Sequence, residues 1–75
     1  MLSILYIVKN RVREERGLRG LSQADLAAGL GVSRQTVIAI ESGRYSPSLP
    51  LAFRIARYFT VPVDMMFDPE EEVAT

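Results

Sequence analysis

Apolar residues recur every three or four positions along most of the chain, which is the spacing of one face of an α-helix. The clearest example is the segment QADLAAGLGVSRQTVIAI, where Leu26 and Leu30 form one apolar stripe and Val37 and Ile40 form a second. Gly31 stands between the two stripes and can adopt the positive φ that a tight turn needs. The pattern therefore predicts two short helices joined by a sharp turn.

The residues at the ends of these two segments are those that start helices. Ser22 and Asp25 form a capping-box pattern before the first segment, and Ser33 is a suitable N-cap for the second. Ala27 lies where the two helices are expected to cross, because its methyl group lets the backbones approach closely. The sequence predicts that the second of these helices spans residues 34–42.

Three further helices follow from the same periodicity and its capping residues. One is expected over residues 9–18, with Val12 facing the core. Another is expected to begin after the N-cap Ser48, and a short last helix to run from Pro62 to about Phe67. The sequence therefore predicts an all-α fold of five helices.

Size and composition narrow the class of protein. The 75 residues make one domain, near the lower limit for a single hydrophobic core. Cysteine and histidine are both absent from the sequence, which excludes thiol nucleophiles, disulfides, the common zinc sites and the usual general base. No apolar run reaches the roughly 20 residues of a membrane span. We expect a cytoplasmic protein that is not an enzyme and needs no metal or cofactor.

Positive and negative charges balance over the whole chain but not along it. Residues 1–67 carry nine basic and five acidic side chains, a net charge of +4, whereas residues 68–75, DPEEEVAT, carry four acidic side chains and no basic one. A basic body suits a polyanionic partner. The acidic tail is expected to be a solvated, frayed terminus; the alternative is a regulatory tail that competes with phosphates.

These motifs resemble the phage repressor and Cro family, also called Xre-type regulators. The resemblance covers nearly the whole chain, through LSQADLA, VSRQTVIAIESGRYSPSL, LAFRIARYF and VPVDMMF in the family's order. It implies a lambda-repressor-like DNA-binding domain over residues 9–67, with a helix-turn-helix formed by helices 2 and 3. This domain would lie between an apolar N-terminal extension, residues 1–8, and the acidic tail. Double-stranded DNA, as two half-sites, is the implied partner of a homodimer.

The outward face of the third helix is the candidate base-reading surface. The apolar stripe of this helix, Val37 and Ile40, faces inward. Gln35, Ile38 and Ala39 are therefore turned outward, and Arg34 is left at the N-terminal flank. Glutamine can bind adenine and arginine can bind guanine through two hydrogen bonds each, and Ile38 or Ala39 can contact a thymine methyl. The family reads bases at the matching positions, whereas the structural alternative is a solvated face.

Phosphate contacts are expected from residues around this helix. Gln23 lies at the N-terminus of the second helix, where free backbone N–H groups favour an anion. Hydroxyl and guanidinium groups on and beyond the third helix would continue the clamp: Thr36, Ser42, Arg44 and Tyr45. Packing of Tyr45 against its own loop is equally compatible with the sequence.

The resemblance also implies a structural ion pair. Family repressors often pair an arginine on helix 1 with a glutamate late in helix 3, and Arg16 and Glu41 hold the matching positions. The pair would fix helix 3 against helix 1; the alternative is a solvated pair that contributes little. The other arginines of the first helix region are expected on a solvated face: Arg11, Arg13 and Arg19.

Two features depart from the family pattern. Glu15 stands where many members have a core leucine, and Leu18, one turn away, is the candidate to replace it. The segment MLSILYIV, residues 1–8, precedes the usual start of family sequences. It could extend helix 1, or it could form a β-like arm that pairs with a second subunit. The third alternative is that the true start of the protein is Val8 and that the residues before it are an upstream reading.

Dimerisation is expected at the C-terminal part of the domain. Met65 stands where related sequences usually have a polar residue, and Val61 and Pro62 extend an apolar edge beside it. The competing surface is residues 1–8, which could pair strand to strand across a two-fold axis.

The sequence leads to one main hypothesis and one alternative. The main hypothesis is a small dimeric repressor of transcription that binds DNA sequence-specifically. One version of this hypothesis is an antitoxin-type repressor of its own operon. The alternative is a helix-turn-helix scaffold that acts as a protein-interaction module or antitoxin without strong DNA reading. The neutral net charge and the apolar Ile38 support this alternative.

Overall fold

The computed structural model describes the backbone of residues 4–74 and the side chains of residues 9–68. In chain order, the elements are β1 (Ile4–Asn10), α1 (Val12–Leu18), α2 (Gln23–Leu30), α3 (Arg34–Glu41), α4 (Leu49–Phe59), α5 (Val63–Met66) and β2 (Phe67–Ala74). The predicted fold of five helices is confirmed, and α2 and α3 form the helix-turn-helix. The segments on either side of the helical body are strands, which the helical pattern did not predict.

The helix ends lie where the capping residues predicted them. Ser22 Oγ accepts the Asp25 N–H at 2.9 Å and the Asp25 carboxylate accepts the Ser22 N–H at 3.0 Å, which completes the capping box. Hydrogen bonding from Ser22, foremost from its backbone N–H, holds the pKa of Asp25 below its usual value. Gly31 ends α2 with φ +73°, and Ser33 and Ser48 each accept the N–H three residues further on.

The core lies between the five helices and follows the predicted stripes. Leu26 and Leu30 of α2 pack with Val37 and Ile40 of α3, and Ala27 is buried between them. Helix α4 supplies the largest fully buried side chain, that of Phe59. The last helix closes the core, with the following residues buried or packed against it: Val63, Met66 and Phe67.

Helix α1 begins at Val12, three residues later than predicted, because Asn10 ends β1 and turns the chain. Asn10 Oδ1 accepts the Val12 N–H at 3.1 Å, and its Nδ2 donates to the Ile40 carbonyl at 2.8 Å. The next backbone N–H, that of Arg11, donates to the Met66 carbonyl at 3.0 Å. Asn10 therefore joins the end of β1 to both α1 and α3.

Glu15, and not Leu18, occupies the core-facing position of α1. Leu18 is 74% exposed and Glu15 is 8% exposed, so the expected replacement of a core leucine by Leu18 is wrong. Arg19 donates to the Glu15 carboxylate at 2.8 Å and to the Phe59 carbonyl at 2.6 Å, and its guanidinium carbon lies 4.8 Å from the centre of the Phe59 ring. Arg19 is exposed, as expected, but it also links α1 to α4 through these bonds.

This arrangement predicts unequal effects at the two ends of the Glu15–Arg19 pair. Arg19→Ala should lower the free energy of unfolding by about 1–3 kcal/mol, because the largely buried Glu15 carboxylate and the Phe59 carbonyl lose a donor. Glu15→Leu should change it by less than about 1 kcal/mol, since leucine suits the core and Arg19 keeps its carbonyl partners. Urea unfolding of both variants measures the difference; equal losses would contradict it.

The strands β1 and β2 form a two-stranded antiparallel sheet from the two ends of the chain. Ile4 pairs with Ala74 at one end, and Asn10 pairs with Phe67 at the end nearer the helices. Residues 4–10 and 67–74 therefore lie side by side, and the sheet is anchored on the helical body through Asn10.

This sheet corrects two expectations about the ends of the chain. Residues 4–8 are strand, so the N-terminal segment does not extend helix 1; it forms a β-arm whose partner in the structure is β2 of the same chain. The acidic tail is not a frayed terminus through Ala74, because it forms β2. Residues 1–3 and 75, which belong to these two segments, lie outside the described residues.

Two observations restrict the chemistry of the described part of the molecule. None of its helices is long and apolar enough to cross a membrane. Its acidic residues do not gather in any group of three or more that could hold a metal ion.

Candidate nucleic-acid interface

Helix α3 presents its polar N-terminal end to solvent. Arg34 and Gln35 are exposed, while Val37 and Ile40 on the opposite face are each 1% exposed. The other two predicted base-reading residues are half-buried: Ile38 and Ala39. The accessible part of the predicted face is therefore concentrated in the first turn of the helix.

The turn after α3 is built around the carbonyl of Ala39. This oxygen accepts the backbone N–H of Arg44 at 3.1 Å, that of Tyr45 at 3.3 Å and the hydroxyl of Ser42 at 3.0 Å. Arg44 Nε donates to Ser42 Oγ at 3.2 Å. Gly43, at φ +78°, permits the reversal of the chain. Arg44 and Tyr45 are exposed and are held directly beyond the C-terminal end of α3.

Thr36 belongs to the N-cap of α3. Its backbone N–H donates to Ser33 Oγ at 3.1 Å, and the two hydroxyl oxygens lie 2.9 Å apart. A hydroxyl has one donor and two acceptor positions, so this contact leaves capacity for a further hydrogen bond. Thr36 is half-buried, unlike the exposed Ser42 and Arg44.

An open hollow lies at the N-terminus of α2. It is lined by Arg16, Ser22, Gln23, Ala24 and Arg34. The first backbone N–H groups of a helix have no partner within the helix and favour an anion, as do the two guanidinium groups of this lining. Arg34, predicted to read bases, therefore lies beside Gln23, which was predicted to contact a phosphate.

Arg16 and Glu41 form the ion pair that the resemblance implied. Arg16 Nε donates to Glu41 Oε2 at 2.7 Å and Nη2 donates to Oε1 at 3.2 Å, with side chains 17% and 5% exposed. The hydrogen bond to Glu41 raises the pKa of Arg16. Arg16 Nη1 also donates to the Leu21 carbonyl at 2.9 Å. The pair is bidentate and largely shielded from solvent, unlike the solvated pair that was the alternative. It joins α1 to the end of α3.

A third side chain reaches the same carboxylate. Gln23 Nε2 donates to Glu41 Oε1 at 3.2 Å, and Gln23 is half-buried. The sequence placed Gln23 at the start of α2 but held no signal for this bond, because the two residues are 18 positions apart.

Two of the three residues predicted for a dimer interface, Val61 and Pro62, share an apolar hollow, whereas Met65 lines a separate hollow. Met65 is 58% exposed and Pro62 is exposed, whereas Val61 packs partly against the core. A shallow hollow brings Val61 and Pro62 together with Phe53 of α4, which is 43% exposed. Sequence reasoning missed Phe53, although its position between the buried Ala52 and Ile55 marks the outer side of α4.

Two other polar residues that the sequence did not single out hold this framework together. Asn10 lies inside the stretch that was predicted as helix, residues 9–18, but its side chain accepts the Val12 N–H and so marks the start of α1. Arg54 donates from Nη1 to the Leu30 carbonyl at 2.9 Å and so satisfies the C-terminal end of α2. Its partner could not be read from the sequence, since the bond depends on how α4 packs on α2.

A family model for the helix-turn-helix matches residues 12–65, from the first residue of α1 into α5. The chain is 52% identical over 65 residues to an uncharacterized HTH-type transcriptional regulator of Methanocaldococcus jannaschii, covering 87% of this chain and 98% of the relative. It is 32% identical over 65 residues to the cryptic phage CTXphi transcriptional repressor RstR of Vibrio cholerae, covering 85% of this chain and 59% of the repressor.

A solved structure shows the same fold. The restriction-modification controller protein C.AhdI from Aeromonas hydrophila matches with a TM-score of 0.67 and 33% identity, over 73% of this chain and 83% of that one. The chain therefore belongs to the Xre, or Cro/C1-type, helix-turn-helix family of transcriptional regulators, whose members bind DNA and are not enzymes.

Proposed function

We propose that the protein is a dimeric repressor that binds double-stranded DNA sequence-specifically, with α3 in the major groove. One observation carries the proposal: the exposed end of α3, at Arg34 and Gln35, adjoins the hollow at the α2 N-terminus. A duplex lying across both would offer base edges to α3 and a phosphate to the hollow. The proposed site of action is the cytoplasm.

Base reading is assigned to one face of α3. Gln35 is exposed and can bind the N6 and N7 of adenine together. Arg34 can reach guanine from the flank of the helix, and the half-buried Ile38 and Ala39 can contact thymine methyl groups. The polar contacts of this face would carry most of the discrimination between sequences.

Phosphate contacts are assigned to both ends of α3, which would hold the helix in register on the duplex. On one side Gln23 belongs to the hollow at the α2 N-terminus. On the other side, the turn built on the Ala39 carbonyl carries the exposed Arg44 and Tyr45. The remaining hydroxyl contacts are assigned to Thr36 and Ser42.

The direction of regulation is proposed from the relatives. One similar protein is named as a phage transcriptional repressor and one similar structure as a restriction-modification controller protein. A helix placed in the major groove of an operator excludes other proteins from it, and repression of the protein's own operon is the simplest such circuit.

Selection of bound sequences from random duplex DNA tests the proposal. We expect one enriched pattern with two half-sites about 34 Å apart, because a two-fold dimer places its recognition helices one helical turn apart. A variant carrying Arg34→Ala and Gln35→Ala is the matched control and should enrich nothing. A folded wild-type protein that also enriches nothing would favour the alternative, a protein-interaction module. The apolar, half-buried Ile38 on the outward face of α3 supports that alternative.

The dimer is proposed to form through Val61, Pro62 and Met65. Met65→Glu should convert it to a monomer in sedimentation equilibrium, because a carboxylate would be buried in an apolar interface. Leu18→Glu is the matched control, since Leu18 is 74% exposed and lies outside this surface, and should stay dimeric. A dimer that survives Met65→Glu but is lost in Leu5→Glu would place the interface on β1 instead.

A further inference from the structure

The carboxylate of Glu41 holds side chains from two other helices. Its Oε2 accepts from Arg16 of α1 at 2.7 Å, and its Oε1 accepts from Arg16 and from Gln23 of α2, each at 3.2 Å. Glu41 is the last residue of α3, and its side chain is only 5% exposed. The carboxylate therefore links the recognition helix directly to a residue of the α2 hollow.

This bond fixes which way the Gln23 amide faces. An ionised carboxylate only accepts hydrogen bonds, so the amide nitrogen of Gln23 must face Glu41. One N–H is used in this way and the second remains free for another acceptor. Without Glu41 the terminal torsion of a glutamine is broad, so that the amide oxygen and nitrogen exchange places readily. An amide oxygen in the hollow would repel a phosphate, whereas an N–H would bind it.

We infer that Glu41 is a positioning residue for phosphate binding, and that it acts by orienting the amide of Gln23 in the hollow at the α2 N-terminus. The inference rests on the proposed DNA binding. A phosphate held by Gln23 is then also fixed relative to α3, and so relative to Gln35. The two-pronged pairing with Arg16 balances the negative charge of Glu41, which would otherwise oppose phosphate binding.

A double-mutant cycle in DNA affinity tests the inference, with Gln23→Ala, Glu41→Gln and the double variant. Glu41→Gln changes the net charge by the same amount whether residue 23 is glutamine or alanine, so its electrostatic effect on affinity cancels in the cycle. We expect Gln23→Ala to weaken binding at least about 3-fold more in the wild-type background than in the Glu41→Gln background. Affinity is measured on the duplex that the selection yields, at one salt concentration.

A second cycle gives the matched control, with Arg44→Ala in place of Gln23→Ala. Arg44 bonds to Ser42 and has no described bond to Glu41, so the effects of Arg44→Ala and Glu41→Gln should multiply. Coupling of equal size in both cycles would show a general disturbance of α3 and would overturn the inference.

The outcomes separate this inference from the proposed function. A wild-type protein without affinity for any duplex at low salt rejects both. If the wild-type protein binds DNA, but Gln23→Ala lowers the affinity equally in the wild-type and Glu41→Gln backgrounds, only the role of Glu41 is rejected. Thermal unfolding without DNA confirms that each variant is folded at the assay temperature. If Glu41→Gln unfolds, Glu41→Asp serves in the same cycle, because it keeps the charge but shortens the reach to Gln23.

Discussion

The affinity of the protein for duplex DNA is expected to fall about 250- to 1,000-fold between 50 and 200 mM salt. Four to six phosphate contacts per dimer, from the α2 hollow and from the turn that carries Arg44, would give a slope of log K against log salt near −4 to −5. Fluorescence anisotropy with a labelled duplex over this salt range measures the slope. Arg44→Ala should make it shallower by about 2 per dimer, because one cationic contact is lost in each subunit.

A slope near zero, or no binding at low salt by a folded sample, would contradict this expectation. The observation would favour the interaction-module alternative, whose partner is not a polyanion. The overall neutrality of the chain does not weaken the prediction, because the acidic residues that offset the basic body are concentrated in residues 68–75.

Gln35→Ala is expected to weaken binding to the preferred site by about 1–3 kcal/mol, or roughly 5- to 150-fold. Gln35 is exposed on the first turn of α3, so the substitution removes a base contact without opening the core. Discrimination should relax at one base pair of each half-site. Competition assays with all four base pairs at each position of the site measure this change.

Arg44→Ala is the matched variant for this prediction. Arg44 is also exposed but lies beyond the end of α3, so its loss should weaken all duplexes to a similar extent and leave the preferred sequence unchanged. If Gln35→Ala leaves the site preference unchanged, the base-reading face has been assigned to the wrong residues.

The helix boundaries could be predicted because their causes are local. The capping box of Ser22 and Asp25 and the positive φ of Gly31 each depend on a few consecutive residues. The two apolar stripes, Leu26 with Leu30 and Val37 with Ile40, follow from helical periodicity alone. Even the start of α1 at Val12 has a local cause, the side chain of Asn10 two residues earlier, which the apolar periodicity of residues 9–18 concealed.

The pairing of the two strands could not be predicted because it is not local. The apolar run of residues 1–8 has no alternation that would separate strand from helix, and acidic residues and proline, as in DPEEEVA, are disfavoured in strands. Ile4 pairs with Ala74, so the cause of each strand lies at the other end of the chain.

In the candidate site, too, local features could be predicted and long-range contacts could not. The identities of the exposed residues of α3 followed from periodicity and from the resemblance to the family. The bonds that hold them in place did not: Arg16 and Glu41 are 25 positions apart, and Gln23 and Glu41 are 18 positions apart. The link from Arg19 to the Phe59 carbonyl was missed for a similar reason, since the two residues are 40 positions apart.

During translation β1 is synthesised before β2, the strand with which it pairs. Residues 4–10 are made before the helices, whereas β2 is complete only when Ala74 has been added. Throughout that interval the nascent chain carries an uncharged apolar strand, from Ile4 to Val8, with both hydrogen-bonding edges open to other extended chains. The acidic strand β2, which is made after the helices, closes one of these edges. Translation that stops at residue 66 would therefore leave the helices complete and the apolar segment of residues 4–8 without its partner strand.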